Sequence, residues 1–82
     1  MAKYQIVLRS QAEKELSRHK KVGNASTKKK IIAIFKDLEN NPYTGVGNPE
    51  QLKHTLAGLW SRRINQKDRI IYEVQENIVT VY

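Results

Sequence analysis

The chain has 82 residues, room for one small domain around one core. It has no cysteine, which excludes a disulfide scaffold, thiolate metal sites and cysteine nucleophiles and fits a reducing compartment. Its 15 Lys and Arg against 8 Asp and Glu leave a net charge of +7, a field suited to polyanions.

Tyr4-Gln5-Ile6-Val7-Leu8 is β-branched and apolar and predicts a first strand. No apolar run approaches the ~20 residues that span a bilayer. The apolar part of MAKYQIVLRS is too short for a secretory leader. The expectation is a soluble cytoplasmic protein with no membrane partner, a single domain over residues 1–82.

Ser10 opens S-Q-A-E, a capping-box pattern in which Ser10 caps the N3 amide and Glu13 reaches back. A first helix is predicted from there to about Lys21, with Ala12 and Leu16 inward and His19 at the surface. Gly23-Asn24 breaks it. Ile31, Ile34, Phe35 and Leu38 recur at i, i+3, i+4, i+7, the stripe of a second helix capped by Asn24 or Ser26 and ended by Asn40-Asn41-Pro42. Lys28, Lys29 and Lys30 fall in its first turns, where cations oppose the helix dipole at a few tenths of a kcal/mol each. From Leu16 to Lys36 there are seven basic residues and no acid. A solvated helical face would explain such a run, but its density favours polyanion binding.

Pro42 to Gln51 reads as a loop punctuated by Gly45, Gly47 and Pro49, without the Lys-Ser/Thr of a phosphate-binding loop. Leu52 to Leu56 is a candidate short strand. Leu59 to Ile64, Arg69 to Val74 and Ile78 to Tyr82 read as an antiparallel meander. The order β-α-α-β-β-β predicts an α+β fold, with two helices on one face of a twisted, mainly antiparallel sheet. A hairpin closed at Gln66-Lys67 sets Ile64 opposite Arg69, Arg62 opposite Ile71 and Trp60 opposite Glu73. The uncovered face then carries Arg62, Arg69 and Trp60, and a single bulge would replace Arg62 by Arg63.

Metal ligation and a Ser-His-Asp arrangement are poorly supported, because His19 and His54 are the only imidazoles and neither has a carboxylate at a ligand spacing. What remains is Glu50 amid Lys53, Arg62, Arg63 and Arg69. That set suits metal-free cleavage of RNA. The substrate supplies its own 2′-hydroxyl nucleophile, and the protein supplies a base, cations for the developing phosphate charge and an acid. Glu50 suits the base. Arg69 suits the clamp, its planar fork matching a phosphate. Either residue alone would also pass as an ordinary surface charge.

The run from Asn41 to Val74, with G-V-G-N-P-E-Q-L-K-H-T-L-A-G-L-W-S-R-R-I and D-R-I-I-Y, resembles the YoeB/Txe group of the RelE superfamily, bacterial toxin–antitoxin mRNA interferases. The resemblance implies a RelE-like fold and a cofactor-free toxin that enters the ribosomal A site and cuts mRNA, leaving a cyclic phosphate and a 5′ hydroxyl. Its implied partners are the ribosome, rRNA, mRNA and a YefM/Axe-like antitoxin, with operator DNA reached only through the antitoxin. A monomer and a homodimer both fit. Carried onto this sequence, Glu50 is the general base, Arg69 the transition-state arginine and Lys53 the lysine near the scissile phosphate. Arg62 and Arg63 are the S-R-R pair facing RNA or supporting the sheet. Lys28, Lys29 and Lys30 are then expected on rRNA phosphates. His54 is expected to be structural. Trp60 is expected to pack against the loop or a dimer partner more than to stack on a base.

Family members continue past the last strand to a His-Tyr end whose His is the general acid, and this sequence stops at Tyr82. The resemblance therefore implies cleavage weakened by about 10²–10⁴-fold. The rival expectation is an inactive binding module for antitoxin or ribosome acting in operon control.

Overall fold

The computed structural model describes residues 3–82. Its elements are β1 (Gln5–Leu8), α1 (Ser10–Val22), α2 (Ala25–Leu38), β2 (Glu50–Gln51), a single 3₁₀ turn at His54–Leu56, β3 (Leu59–Arg63), β4 (Arg69–Gln75) and β5 (Ile78–Val81). The five strands form one sheet in the order β1-β5-β4-β3-β2. Only the β1–β5 pairing is parallel. The helices carry the chain from β1 at one edge of the sheet to β2 at the other, and the strands that follow step back until β5 lies beside β1, so the whole run is the long connection that a parallel pair requires. The α+β expectation holds, with β1 and the β3-β4-β5 meander in place.

Ile31, Ile34 and Leu38 of α2 and Ala12 of α1 pack on Ile64, Ile70, Tyr72, Val79 and Val81 of the sheet. Both helices therefore cover the same sheet face, and the opposite face is left open. Asn24 caps α2, its side chain accepting from the Thr27 amide at 2.8 Å. The box expected at Ser10 does not form. The Arg9 amide donates to the Val81 carbonyl at 2.9 Å, so the chain is still tied to β5 at Arg9. The helix starts directly after it, and Ser10 becomes its first residue rather than its cap. His19 is also corrected: it is buried under α1, its Nε2 3.8 Å from Asp68 Oδ2, because the β3–β4 turn folds up against the helix.

Two further expectations are revised. The short strand lies at Glu50–Gln51, inside the stretch read as loop, and Leu52–Leu56 instead leaves the sheet through the 3₁₀ turn. The β3–β4 register is also shifted by one residue. Asn65 Oδ1 accepts from the amides of Lys67 and Asp68 at 2.8 and 2.7 Å, and the Ile64 amide donates to the Asp68 carbonyl at 3.0 Å. This Asx turn leaves three residues in the loop where four were expected. Arg63 now pairs with Arg69, Arg62 with Ile70 and Trp60 with Tyr72. A one-residue slip moves every side chain to the other face. Arg62 and Trp60 therefore turn inward. Trp60 packs edge-on against Tyr43 of the α2–β2 connection, ring centroids 5.2 Å apart, which is the loop-packing role.

Arg62 is completely buried, with all five donor hydrogens used. Nε donates to Tyr72 Oη at 3.2 Å, Nη1 to Asp37 Oδ2 at 2.6 Å and to the Val46 carbonyl at 3.2 Å, and Nη2 to the carbonyls of Asn41 and Thr44 at 2.7 and 3.0 Å. Tyr72 Oη donates in turn to the Pro42 carbonyl at 2.6 Å, and Asp37 Oδ2 accepts from the Val46 amide at 3.0 Å. One side chain from the sheet thus gathers residues 41–46 and ties them to α2. The glycines of this stretch are required by space and dihedral. Gly45 has φ 119° and its missing Cβ would collide with the Asp37 carboxylate; Gly47 has φ 86° and a Cβ there would lie 2.9 Å from the Arg63 carbonyl.

Burial pushes the Tyr72 phenol above its ordinary range, and the hydrogen bond and charge of Arg62 offset this only in part. The folded state therefore holds the phenolic proton more tightly than the unfolded chain. That contribution is whole below about pH 10 and is lost as pH rises through the raised folded value. In an alkaline absorbance titration Tyr72 should ionise late, above the ordinary tyrosine range. Tyr72→Phe should remove that late step and lower stability by about 1–3 kcal/mol, since the Pro42 carbonyl and the Arg62 Nε–H lose their partner.

Candidate active site

The open sheet face is built from alternate residues of β2, β3 and β4. Glu50 pairs with Ser61, and Ser61 with Ile71. Two residues further along β3 and back along β4, Arg63 pairs with Arg69. Directly opposed residues share a face, so Glu50, Ser61, Ile71, Arg63 and Arg69 all project to the side without helices. Glu50 and Arg69 are two strands and one pleat repeat apart, a Cα separation of about 12 Å from ordinary strand spacings. Their long side chains span such a gap from both ends, with Arg63 between them.

Ser61 is buried and Ile71 half-buried, giving the face a closed floor beneath exposed charges. Among the described residues, the side chains of Glu50, Lys53, Arg63 and Arg69 make no hydrogen bond or ion pair within the chain. A carboxylate and two of these cations, Arg63 and Arg69, held unpaired on one face of the sheet are available to a ligand. They can accept a proton at Glu50 and bind an anion at Arg63 and Arg69. Glu73, also on this face, accepts from Tyr82 Oη at 3.3 Å and so has a partner within the chain. The expected hairpin already set Glu73 on the uncovered face opposite Trp60; it does share that face, but opposite Leu59 and Thr80.

The sequence-predicted residues separate as follows. Glu50 stands in β2, with Lys53 exposed where the chain leaves that strand. Arg69 opens β4 and Arg63 closes β3. Arg62 is corrected from an RNA-facing residue to a buried one, for the register reason above. Lys28, Lys29 and Lys30 lie on the first turns of α2, Lys29 exposed and the other two half-buried. His54 is exposed with φ 60°, and its carbonyl accepts from the Ala57 amide to close the 3₁₀ turn. Among the described residues no three His, Cys, Asp or Glu converge as metal ligands. A larger groove of about 630 Å³ lies elsewhere, between α1, α2 and β1. Its lining is mostly apolar, with Leu8, Leu16, Ile31 and Phe35, and it carries none of these groups.

Residues 11–82 match the family described as YoeB-like toxin of bacterial type II toxin–antitoxin systems. The chain is similar to Toxin YoeB of Escherichia coli O6:H1 (strain CFT073), 45% identical over 53 residues, which is 65% of this chain and 63% of that protein. The aligned part thus spans less than two thirds of that relative. In solved structures it is similar to the YoeB dimer from Staphylococcus aureus, with a TM-score of 0.82 at 32% identity, covering 98% of this chain and 92% of that one. It is also similar to the YoeB–YefM complex from the same organism, with a TM-score of 0.81 at 33% identity and coverages of 98% and 92%.

The S-R-R pair offers a direct check of the register. Arg62→Ala should cost about 3–5 kcal/mol in urea denaturation, because it strands the buried carbonyls and Asp37. Arg63→Ala should stay within about 0.5 kcal/mol of the parent. Equal costs would mean that the wrong arginine has been placed inside.

Proposed function

This chain belongs to the YoeB-like toxins of bacterial type II toxin–antitoxin systems, and on that footing we propose that it is a cytoplasmic, ribosome-dependent endoribonuclease that cuts mRNA in the A site without a metal. The observation that carries the reading is the set of unpaired side chains of Glu50, Arg63 and Arg69 on one uncovered sheet face.

In the proposed reaction Glu50 takes the proton of a ribose 2′-hydroxyl, and the resulting oxygen attacks the adjacent phosphorus. The phosphorus–5′-oxygen bond breaks, the departing oxygen takes a proton from water, and a 2′,3′-cyclic phosphate and a 5′-hydroxyl are left. The guanidinium groups of Arg69 and Arg63, with Lys53, hold the phosphate and offset the charge that builds on it. An exposed carboxylate is a weak base. The rate therefore depends on how closely the 2′-hydroxyl is held in line, a positioning effect supplied by the clamp and by the ribosome's grip on the mRNA. The cations of α1 and α2, Lys28, Lys29 and Lys30 among them, would meet rRNA phosphates without regard to sequence. The solved relative in complex with YefM supports a YefM-like antitoxin as a partner. The dimeric relative makes a homodimer one of the two assemblies to test against a monomer.

The test is primer extension on mRNA from a translation reaction supplied with the purified chain. Glu50→Gln and Arg69→Ala should each lower A-site cleavage by about 10²–10⁴-fold while folding as the parent does. Equal cleavage by these variants would reject the site. An uncleaved message in all cases, with antitoxin binding retained, would leave a binding module for operon control. Lys28, Lys29 and Lys30 changed together to Gln should weaken ribosome binding and flatten its salt dependence by up to about three in log–log slope.

A further inference from the structure

A second polar cleft of about 330 Å³ adjoins the candidate site and is lined by Lys30, Gly47, Asn48, Arg63, Asn65 and Gln66, with Ile64 as its apolar patch. Three elements meet there: the first turns of α2, the loop leading to β2, and the β3–β4 turn. Its walls hold two cations and three carboxamides and no acid. The Arg63 amide donates to the Gly47 carbonyl at 2.8 Å, so the loop wall is fixed to the strand that carries the guanidinium. Gly47 is buried, and a side chain there would meet the Arg63 carbonyl at 2.9 Å and Ile34 Cδ1 at 3.3 Å. The wall therefore comes close to the strand only because this residue has none.

The carboxamides are not equivalent. Asn65 is engaged in the turn, Oδ1 accepting twice and Nδ2 donating to Asp68 Oδ2 at 3.2 Å. Asn48 and Gln66 have no side-chain partner among the described residues. A free carboxamide offers one acceptor and two donors in a plane, which can match the hydrogen-bonding edge of a nucleobase. Lys30 and Arg63 offer charge to a phosphate. Arg63 belongs both to this cleft and to the face that bears Glu50 and Arg69.

We propose that the cleft is a subsite for the RNA nucleotide next to the one being cut, with its phosphate held between Lys30 and Arg63 and its base edge read by Asn48 and Gln66. The inference rests on the ribonuclease reading and adds to it the residues that set base preference. Arg63 bridges two consecutive phosphates, and the choice of sequence is separated from the chemistry by one nucleotide step.

The experiment uses the full chain at low salt, titrated with short 2′-O-methyl oligonucleotides of A, C, G or U, which cannot be cleaved because the nucleophile is blocked. Side-chain carboxamide signals in ¹H–¹⁵N spectra are the readout. The Asn48 and Gln66 signals should shift, by amounts that differ among the four bases. Lys30→Gln should weaken all four oligonucleotides alike. Asn48→Ala with Gln66→Ala should erase about a tenfold difference between the best and worst base. Absence of mRNA cleavage by the parent chain, with its base preference intact, would sink the nuclease reading but not the subsite. Carboxamide signals that stay still with every oligonucleotide, or a base preference that survives in the double variant, would overturn the subsite even if cleavage is confirmed.

Discussion

The candidate site depends on a cation that never meets solvent. Arg62 is drawn out of water at a desolvation cost of several kcal/mol, which only excellent geometry and full hydrogen bonding can offset. It has both: a carboxylate, a phenol and three backbone carbonyls occupy its five donors. The three carbonyls come from a connection with no regular structure of its own, whose polar backbone groups would otherwise have to be satisfied by water or left unpaired. A hydrophobic residue at position 62 would pack against Ile70 and Tyr72 but could not accept this work. The buried charge is best understood as a device for specifying one loop conformation in a chain too small to wrap that loop in a second layer of structure.

The conformation so fixed has a consequence downstream. Residues 41–46 are gathered onto Arg62, the Gly47 carbonyl accepts from the Arg63 amide, and three residues later Glu50 enters the sheet beside Ser61. A two-residue strand cannot hold its own register. Its position is set by the anchored loop before it and by the Leu52 amide bonded to the Leu59 carbonyl after it. Two adjacent arginines of one strand thus perform opposite tasks by the alternation of the pleat. Arg62 gives all its donors to the chain, and Arg63 points its side chain to the open face with no partner among the described residues.

The distribution of charge follows the same division. The acid beside the structural arginine, half-buried Asp37, is consumed within the fold. The lysines of the helices have few acids to answer them, and three of them sit where the α2 dipole is unfavourable. Stability would be served by acids there. A surface arranged to meet a polyanion is served by lysines, and the proposed subsite uses one of them.

The sequence by itself determined the elements and the class of fold. The helical stripe from Ile31 to Leu38, the β-branched runs and the Gly23-Asn24 and Asn41-Pro42 breaks are local signals, and local signals survive without knowledge of neighbours. It also supplied Glu50 and Arg69, through a motif whose residue types match a known chemistry. What only the tertiary structure decided was which residues face which way. Strand parity turns on a single residue in the β3–β4 loop, and the Asn65 side chain, by closing the turn with three residues, inverted the expected roles of Arg62 and Arg63. The start of α1 and the burial of His19 were likewise set by contacts between elements far apart in the chain, at Val81 and Asp68. Periodicity records the faces a segment has, but not which of them its partners will cover.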